Sequence, residues 1–167
     1  MRPAYAWAMD EKPQPELRWD GVKAAYCDAQ GVERWTVVPS EIALIAEYTT
    51  SAGPADDYFL VIWTIEQGVL MSVQCPLEGT AENVLRELAK VLGFVRDASL
   101  VQSTVWDSMV VWPLELAGED YFTYTTVKTK HWWGALFHRV METKKHRVSD
   151  HVMGFLREKR DRMAAEG

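Results

Sequence analysis

The stretch Tyr58–Ile65, YFLVIWTI, decides the fold of this chain. All of its residues except Thr64 are apolar, and most are β-branched or aromatic. An uninterrupted apolar run of this length is typical of a strand whose two faces are both covered. The sequence therefore predicts a sheet with Tyr58–Ile65 at its centre.

Further strand patterns lie on both sides of this stretch. The predicted strands are Val22–Cys27, Val32–Val38, Ile42–Thr50 and Val69–Cys75, with turns at 28–31 and 66–68. Together with Tyr58–Ile65 they predict a five-stranded antiparallel meander.

Alternation within the strands assigns side chains to faces. Ile42, Leu44 and Tyr48 are predicted on one face of their strand, with Glu47 and Thr49 on the other. Two later strands are predicted over 100–112 and 121–127. In the first of them, a period of two puts Trp106, Val110 and Trp112 on a common face.

A helix is predicted between these groups of strands, from Thr80 as N-cap to Gly93 just beyond its end. The apolar stripe that would cover the sheet consists of Val84, Leu85, Leu88, Val91 and Leu92.

The last forty residues read as helical. Apolar residues recur as adjacent pairs every four positions from Trp132 to Met141, which predicts a helix over 131–143. A second helix is predicted from Ser149 as N-cap, with a thin apolar stripe of Val152, Met153, Leu156 and Met163.

The predicted class is therefore α+β, with an antiparallel meander of about five to seven strands, one covering helix and a C-terminal helix pair. Residues 1–16 are predicted to be an extended arm in which Tyr5 and Trp7 can act as anchors. Residues 17–167 are predicted to form one domain, of which 129–167 is a basic helical segment.

Charge is divided unevenly along the chain. Residues 1–127 carry 8 Lys and Arg against 19 Asp and Glu, a net charge of −11, whereas residues 128–167 carry 10 against 5, a net charge of +5. All four histidines lie in the basic part. Such asymmetry is typical of an interaction segment or of a basic element folded against an acidic body.

The composition favours a cytoplasmic protein. Cys27 and Cys75 stand alone without metal-site spacing, as expected for structural thiols in a reducing compartment, although the pattern leaves open whether they pair. Asp10, Glu11 and Lys12 interrupt any signal-peptide pattern, and Tyr58–Ile65 is too short to span a bilayer.

Two groups of residues have the side-chain types of a catalytic or metal site. Ser149-Asp150-His151 has triad residue types, but consecutive helical residues point about 100° apart and cannot form the relay. His138, Glu142 and His146 form an i, i+4, i+8 row whose ends are about 12 Å apart on a helix, too far for one ion. Neither row predicts a catalytic or metal site, and no cofactor is expected.

Asp56 and Asp57 form the best candidate among the carboxylates. They lie in the loop of residues 51–57, and loops on rigid hairpins often carry function. Adjacent residues of an extended segment point to opposite faces, so the two carboxylates do not converge by themselves. The sequence therefore predicts a loop site at Asp56 and Asp57. It does not decide whether this site binds an ion.

The sequence favours a small non-enzymatic interaction or regulatory protein. The interaction residues are the aromatic Trp132, Trp133 and Phe137 and the basic cluster Arg157, Lys159, Arg160 and Arg162, which is predicted to face outward. The expected partner is another protein or a second copy, because the acidic body opposes nucleic acid. Two alternatives stay open: a small enzyme with a pocket of separated Asp and His residues, and nucleic-acid binding through the basic C-terminal helices.

Overall fold

The computed structural model of the chain describes residues 15–50, 58–77, 79–96, 100, 106–129 and 141–166, with the backbone alone for residues 126–129, 141–145 and 166. These residues contain nine strands in three antiparallel sheets and two α-helices. The α+β class with antiparallel sheets is confirmed.

The first sheet has three strands, β1 (Glu16–Trp19), β2 (Ala24–Cys27) and β3 (Glu33–Val37), in that order. The second sheet has the order β6-β5-β4-β7. Its strands are β4 (Ile42–Thr49), β5 (Tyr58–Glu66), β6 (Val69–Pro76) and β7 (Asp107–Trp112).

The third sheet pairs β8 (Phe122–Thr129) with β9 (Met141–Val148). The helices are α1 (Thr80–Leu92) and α2 (Asp150–Glu166). Of the predicted arm, residues 1–14 lie outside the described residues, and Glu16 already belongs to β1.

The predicted single meander is divided between two sheets. A short 3-10 turn, Pro39–Glu41, separates β3 from β4, and these two strands do not pair. Proline has no backbone N–H to give to a ladder, so Pro39 ends the first sheet and lets the chain change direction.

The prediction of a central strand at Tyr58–Ile65 is confirmed. Strand β5 pairs with β4 on one side and β6 on the other, and both of its faces are covered. On one face Leu60 and Ile62 join a first core with the first sheet and α1. On the opposite face Val61 and Ile65 join a second core with α2.

Two β-bulges change the predicted faces. A register shift between Ile42 and Leu44 places Ile42 in the first core and Leu44 in the second. A second shift in the β4–β7 pairing places Val110 in the second core while Trp112 packs against the first. The predicted common faces were wrong because a bulge inserts one residue and reverses the alternation beyond it.

Helix α1 follows its predicted apolar stripe at Val84, Leu85 and Leu88, which are fully buried, whereas Val91 is exposed. The helix ends at Gly93 in the left-handed conformation, as predicted, with its N–H donating to the Ala89 carbonyl. Thr80 is the first helical residue rather than the N-cap, which is Gly79.

The prediction of helix across 129–148 was wrong for the described part of that range. Thr129 ends β8, and residues 141–148 form β9 instead of continuing a helix. The β-branched stretch of β8 favours an extended partner, and the register pairs Tyr124 with His146 and Phe122 with Val148. Residues 130–140, the greater part of the predicted helix over 131–143, lie outside the described residues.

Helix α2 begins where the sequence predicts. The Ser149 hydroxyl accepts a hydrogen bond from the Val152 N–H at 3.3 Å, which makes Ser149 the N-cap. Val152 and Leu156 are fully buried in the second core, whereas Met163 is exposed. The cap therefore fixes the point at which the chain leaves β9 and returns to the sheet.

Replacing Ser149 with alanine is expected to lower the free energy of unfolding by about 1 kcal/mol, the usual cost of an N-cap side chain. Urea unfolding followed by circular dichroism measures this difference. The matched control is Ser72→Ala on the exposed part of β6. Equal effects of the two substitutions would show that the cap contributes nothing.

Candidate functional site

An aromatic cluster fastens the third sheet to the rest of the molecule. The Phe122 ring lies 5.1 Å from the Tyr48 ring and 4.7 Å from the His146 ring, centroid to centroid. His146 also stacks on Trp106 at 5.3 Å. These contacts all lie at the Phe122–Val148 end of the ladder, which we call the root of the hairpin.

Hydrogen bonds from three elements reinforce the root. The Trp63 indole N–H donates to the Tyr121 hydroxyl at 2.9 Å, and the Ser149 N–H donates to the Tyr121 carbonyl at 2.9 Å. The Phe122 N–H donates to the Ser108 hydroxyl at 2.9 Å. The root is thereby held by β5, β7 and the start of α2.

Beyond Tyr124 and His146 the ladder continues for five more paired positions, to Thr129 and Met141. Within the described part of the chain, neither β8 nor β9 pairs with a third strand. At about 3.3 Å per residue, the distal end of the ribbon lies about 17 Å along the strands from the Tyr124 pair. We call residues 122–148 the basic hairpin.

The strand bounds locate the positive charge of the chain. The basic hairpin carries six Lys and Arg and one Glu, a net charge of +5. Residues 149–167 carry four of each sign and are neutral, while residues 1–121 keep the net charge of −11. The whole excess of positive charge therefore belongs to the hairpin.

The basic cluster on α2 is largely neutralised by its own surroundings. Arg160 pairs with Asp161 at 2.7 Å, and Arg162 pairs with Glu158 at 2.9 Å. Arg157 is exposed.

Lys159 does not face outward as predicted. Its ammonium lies 4.8 Å from the centre of the Trp112 ring and 3.4 Å from the Ala43 carbonyl, and burial lowers its pKa. The prediction was wrong because the aliphatic part of a lysine side chain can cover apolar surface. The ammonium group of Lys159 is then stabilised by a cation–π contact with the Trp112 ring.

A second cluster of charged groups is buried at one end of β4 and β5. The Glu47 side chain is fully buried on the first-core side of the sheet. Its Oε1 accepts a hydrogen bond from the Arg96 Nε at 2.8 Å, and its Oε2 accepts one from the Tyr58 hydroxyl. Arg96 also donates to the Tyr58 hydroxyl at 2.9 Å and lies 3.7 Å from a carboxylate oxygen of Glu82 on α1.

This network is a structural link more than a reactive centre. Burial raises the pKa of Glu47, against the opposing effects of Tyr58 and Arg96. Both carboxylate oxygens are already engaged, and Arg96 is held on three sides. The arrangement ties the segment after α1 to the sheet, as expected where a buried charge must be compensated.

Sequence reasoning did not identify the Glu47 network. The available signal was a single carboxylate in the otherwise apolar run of β4, IALIAEYT, because such a residue needs a partner when buried. The partner, Arg96, is 49 positions away along the chain. Only the tertiary fold brings the two together.

Several predicted site residues lie outside the described residues. These are Asp56 and Asp57 in the loop, Trp132, Trp133 and Phe137 in the connection between β8 and β9, and His138. The helical row of His138, Glu142 and His146 does not form as predicted, because Glu142 and His146 lie on β9. Among the described residues no cluster of His, Cys, Asp and Glu has the arrangement of a metal site.

Both cysteines are buried and unpaired with each other. Burial raises the pKa of the Cys75 thiol to about 12, so the reactive thiolate form is scarce near neutral pH. The interpretation of Cys75 as a structural residue agrees with this environment.

No model of a known protein family matches the chain, and neither a curated protein nor a solved structure shows significant similarity to it. Neither helix in the described part of the molecule has the length and apolar character needed to cross a membrane.

Replacing Arg96 with methionine is expected to lower the free energy of unfolding by about 3–5 kcal/mol, because Glu47 is left buried without its cation. The control is Arg18→Met, which breaks an exposed pair with Glu16 and should cost much less, because solvent screens such a pair. Chemical denaturation of both variants measures the two values. Similar losses in the two would contradict a special role for the buried pair.

The loss in Arg96→Met should also depend on pH. Removing the cation raises the pKa of Glu47 further, and a carboxyl group with a raised folded-state pKa contributes stability at low pH that is lost as pH rises. The deficit relative to the double variant Glu47→Gln/Arg96→Met should therefore grow as the pH rises from about 4, near the ordinary pKa of a glutamate carboxyl, towards neutral. A deficit that stays constant across this range would show that Glu47 does not titrate as described.

Proposed function

We propose that this protein is a non-enzymatic interaction protein whose basic hairpin binds an acidic surface of a partner protein. The observation that carries the proposal is the charge partition: a net +5 confined to residues 122–148, beside −11 in residues 1–121. Charge complementarity of this kind steers association and selects partners.

The construction of the hairpin supports the same function. Its root is fixed by the Tyr48–Phe122–His146 contacts, so the ribbon starts from a rigid base. Its distal end lies about 17 Å farther along the strands, which exceeds the Debye length of about 8 Å at physiological salt.

The aromatic residues of the interaction prediction belong to this proposal. Trp132, Trp133 and Phe137 lie in the eleven-residue connection between Thr129 and Met141, which are paired with each other. Tryptophan, together with arginine and tyrosine, dominates binding energy at many protein interfaces. We propose these three residues as the apolar anchors and the flanking cations as the source of charge selection.

The basic residues of α2 are the weaker candidates. Arg160 and Arg162 are paired with neighbouring acids, Lys159 faces Trp112, and the helix segment is neutral overall. These observations favour the hairpin over α2 as the interaction element.

The double variant Lys144→Glu/Lys145→Glu tests the assignment. The full-length chain, immobilised at low salt, should retain a partner from an extract of the native host, and the hairpin variant should lose it. The matched control, Arg157→Glu/Arg162→Glu on α2, makes the same change in net charge and should retain the partner.

Loss of the partner by the α2 variant with retention by the hairpin variant would contradict the proposal. The wild-type chain is also tested against anionic phospholipid vesicles, single-stranded RNA and, by sedimentation velocity, itself. Hairpin-dependent binding to vesicles or RNA without any protein partner would replace the proposed partner class. Hairpin-dependent self-association would identify the partner protein as a second copy.

A further inference from the structure

Each of the three sheets has two edge strands that lack a further partner among the described residues. Strand β3 ends the three-stranded sheet, and β6 ends the four-stranded sheet. The eight residues of β6, VLMSVQCP, include no charged residue, although natural sheets usually protect a long free edge with charge. Val69 and Met71 on β6 are exposed.

The edge of β3 lines a cleft of about 290 Å³. Four consecutive residues of β3, Glu33–Thr36, form one side, and Glu66 and Met71 from the β5–β6 hairpin also line it. Trp35 is more than nine-tenths buried, and its indole N–H has no acceptor in the described part of the chain. A free edge and an exposed apolar side chain thus meet at one cleft. The Trp35 indole nitrogen beside it is buried in the first core.

We propose that residues 4–9 of this same chain occupy the cleft by adding to β3 as an antiparallel strand. The segment reads AYAWAM, in which small and large residues alternate and no charge occurs. A period of two with one large face is the pattern that a strand needs for a half-buried position.

The register of the first sheet places the cleft within reach. Glu16 pairs with Cys27, and Cys27 pairs with Glu33, so Glu16 lies two strand spacings, about 10 Å, from the start of β3. A strand added beyond β3 lies three spacings, about 15 Å, from Glu16. The six residues 10–15 span up to about 20 Å when extended, and Pro13 and Pro15 favour that conformation.

The direction of the chain agrees with the proposed pairing. Strand β3 runs from Glu33 to Val37, away from the end of the sheet at which Glu16 lies. Residues 4–9 must approach Glu16 with their C-terminal end, so a strand laid along β3 runs from Val37 towards Glu33. This is the antiparallel direction, which matches the rest of the sheet.

A synthetic peptide of residues 1–12 tests the proposal by titration calorimetry. It should bind the chain that lacks residues 1–9 and should not bind the full-length chain, whose cleft is already occupied. A matched peptide with both Ala6→Pro and Trp7→Pro should bind the shortened chain about tenfold more weakly or worse. One of two successive backbone N–H groups faces β3 in either register, so one of the two prolines removes a ladder hydrogen bond. Absence of binding to a folded shortened chain, or equal binding to both chains, would overturn the proposal.

A second measurement covers the case in which the shortened chain fails to fold. In the full-length Ala6→Pro/Trp7→Pro variant, the backbone amides of residues 33–37 should exchange with solvent faster than in the wild type, while those of β4 keep their rates. Unchanged exchange in β3 would overturn the proposal. A wild-type chain with twice the monomer mass, which returns to the monomer mass in Ala6→Pro/Trp7→Pro, would also overturn the proposal, since the strand would then be exchanged between two copies.

Discussion

The rest of this structure depends on the burial of both faces of strands β4 and β5. Every residue of β4 is buried, and β5 contributes Leu60 and Ile62 to one core and Val61 and Ile65 to the other. Full burial of a large apolar side chain stabilises the folded state by about 1.5–3 kcal/mol, so both faces must be covered by other elements. The first sheet and α1 cover one face, and α2 with the hairpin root covers the other.

This two-sided burial explains the two polar features of the molecule. Glu47 is on a strand that must be covered, so its charge is compensated by Arg96 and Tyr58 and thereby fixes the segment after α1. On the opposite side, Tyr121 and Phe122 close the second core and position the start of the basic hairpin. The element that carries the excess positive charge is thus attached to the most deeply buried part of the fold.

The sequence predicted well those elements whose pattern depends on local burial. The central strand, the stripe at Val84, Leu85 and Leu88, and the Ser149 cap were all identified from composition and spacing. The predictions that were wrong all depend on contacts between strands, which local sequence patterns do not report. A bulge decides whether Leu44 shares a face with Ile42, and pairing with β8 makes residues 141–148 a strand.

The candidate site was predictable only in part. Counting residues located the positive charge in the C-terminal quarter of the chain, but the strand bounds were needed to assign it to residues 122–148 and leave α2 neutral. The side-chain pairing that turns Lys159 inward depends on Trp112, which is distant in sequence. The spacing of residues along the chain does not predict such contacts between distant side chains.

Native-state hydrogen exchange tests the central claim most directly. The amides of Ile45, Ala46, Val61 and Ile62 should exchange only through global unfolding, so that their opening free energies equal the free energy of unfolding. The distal amides of β8 and β9, in a two-stranded ribbon, should open with a much smaller free energy. Distal hairpin amides as slow as those of β4 and β5, or β4 and β5 amides that exchange by local opening, would contradict the account.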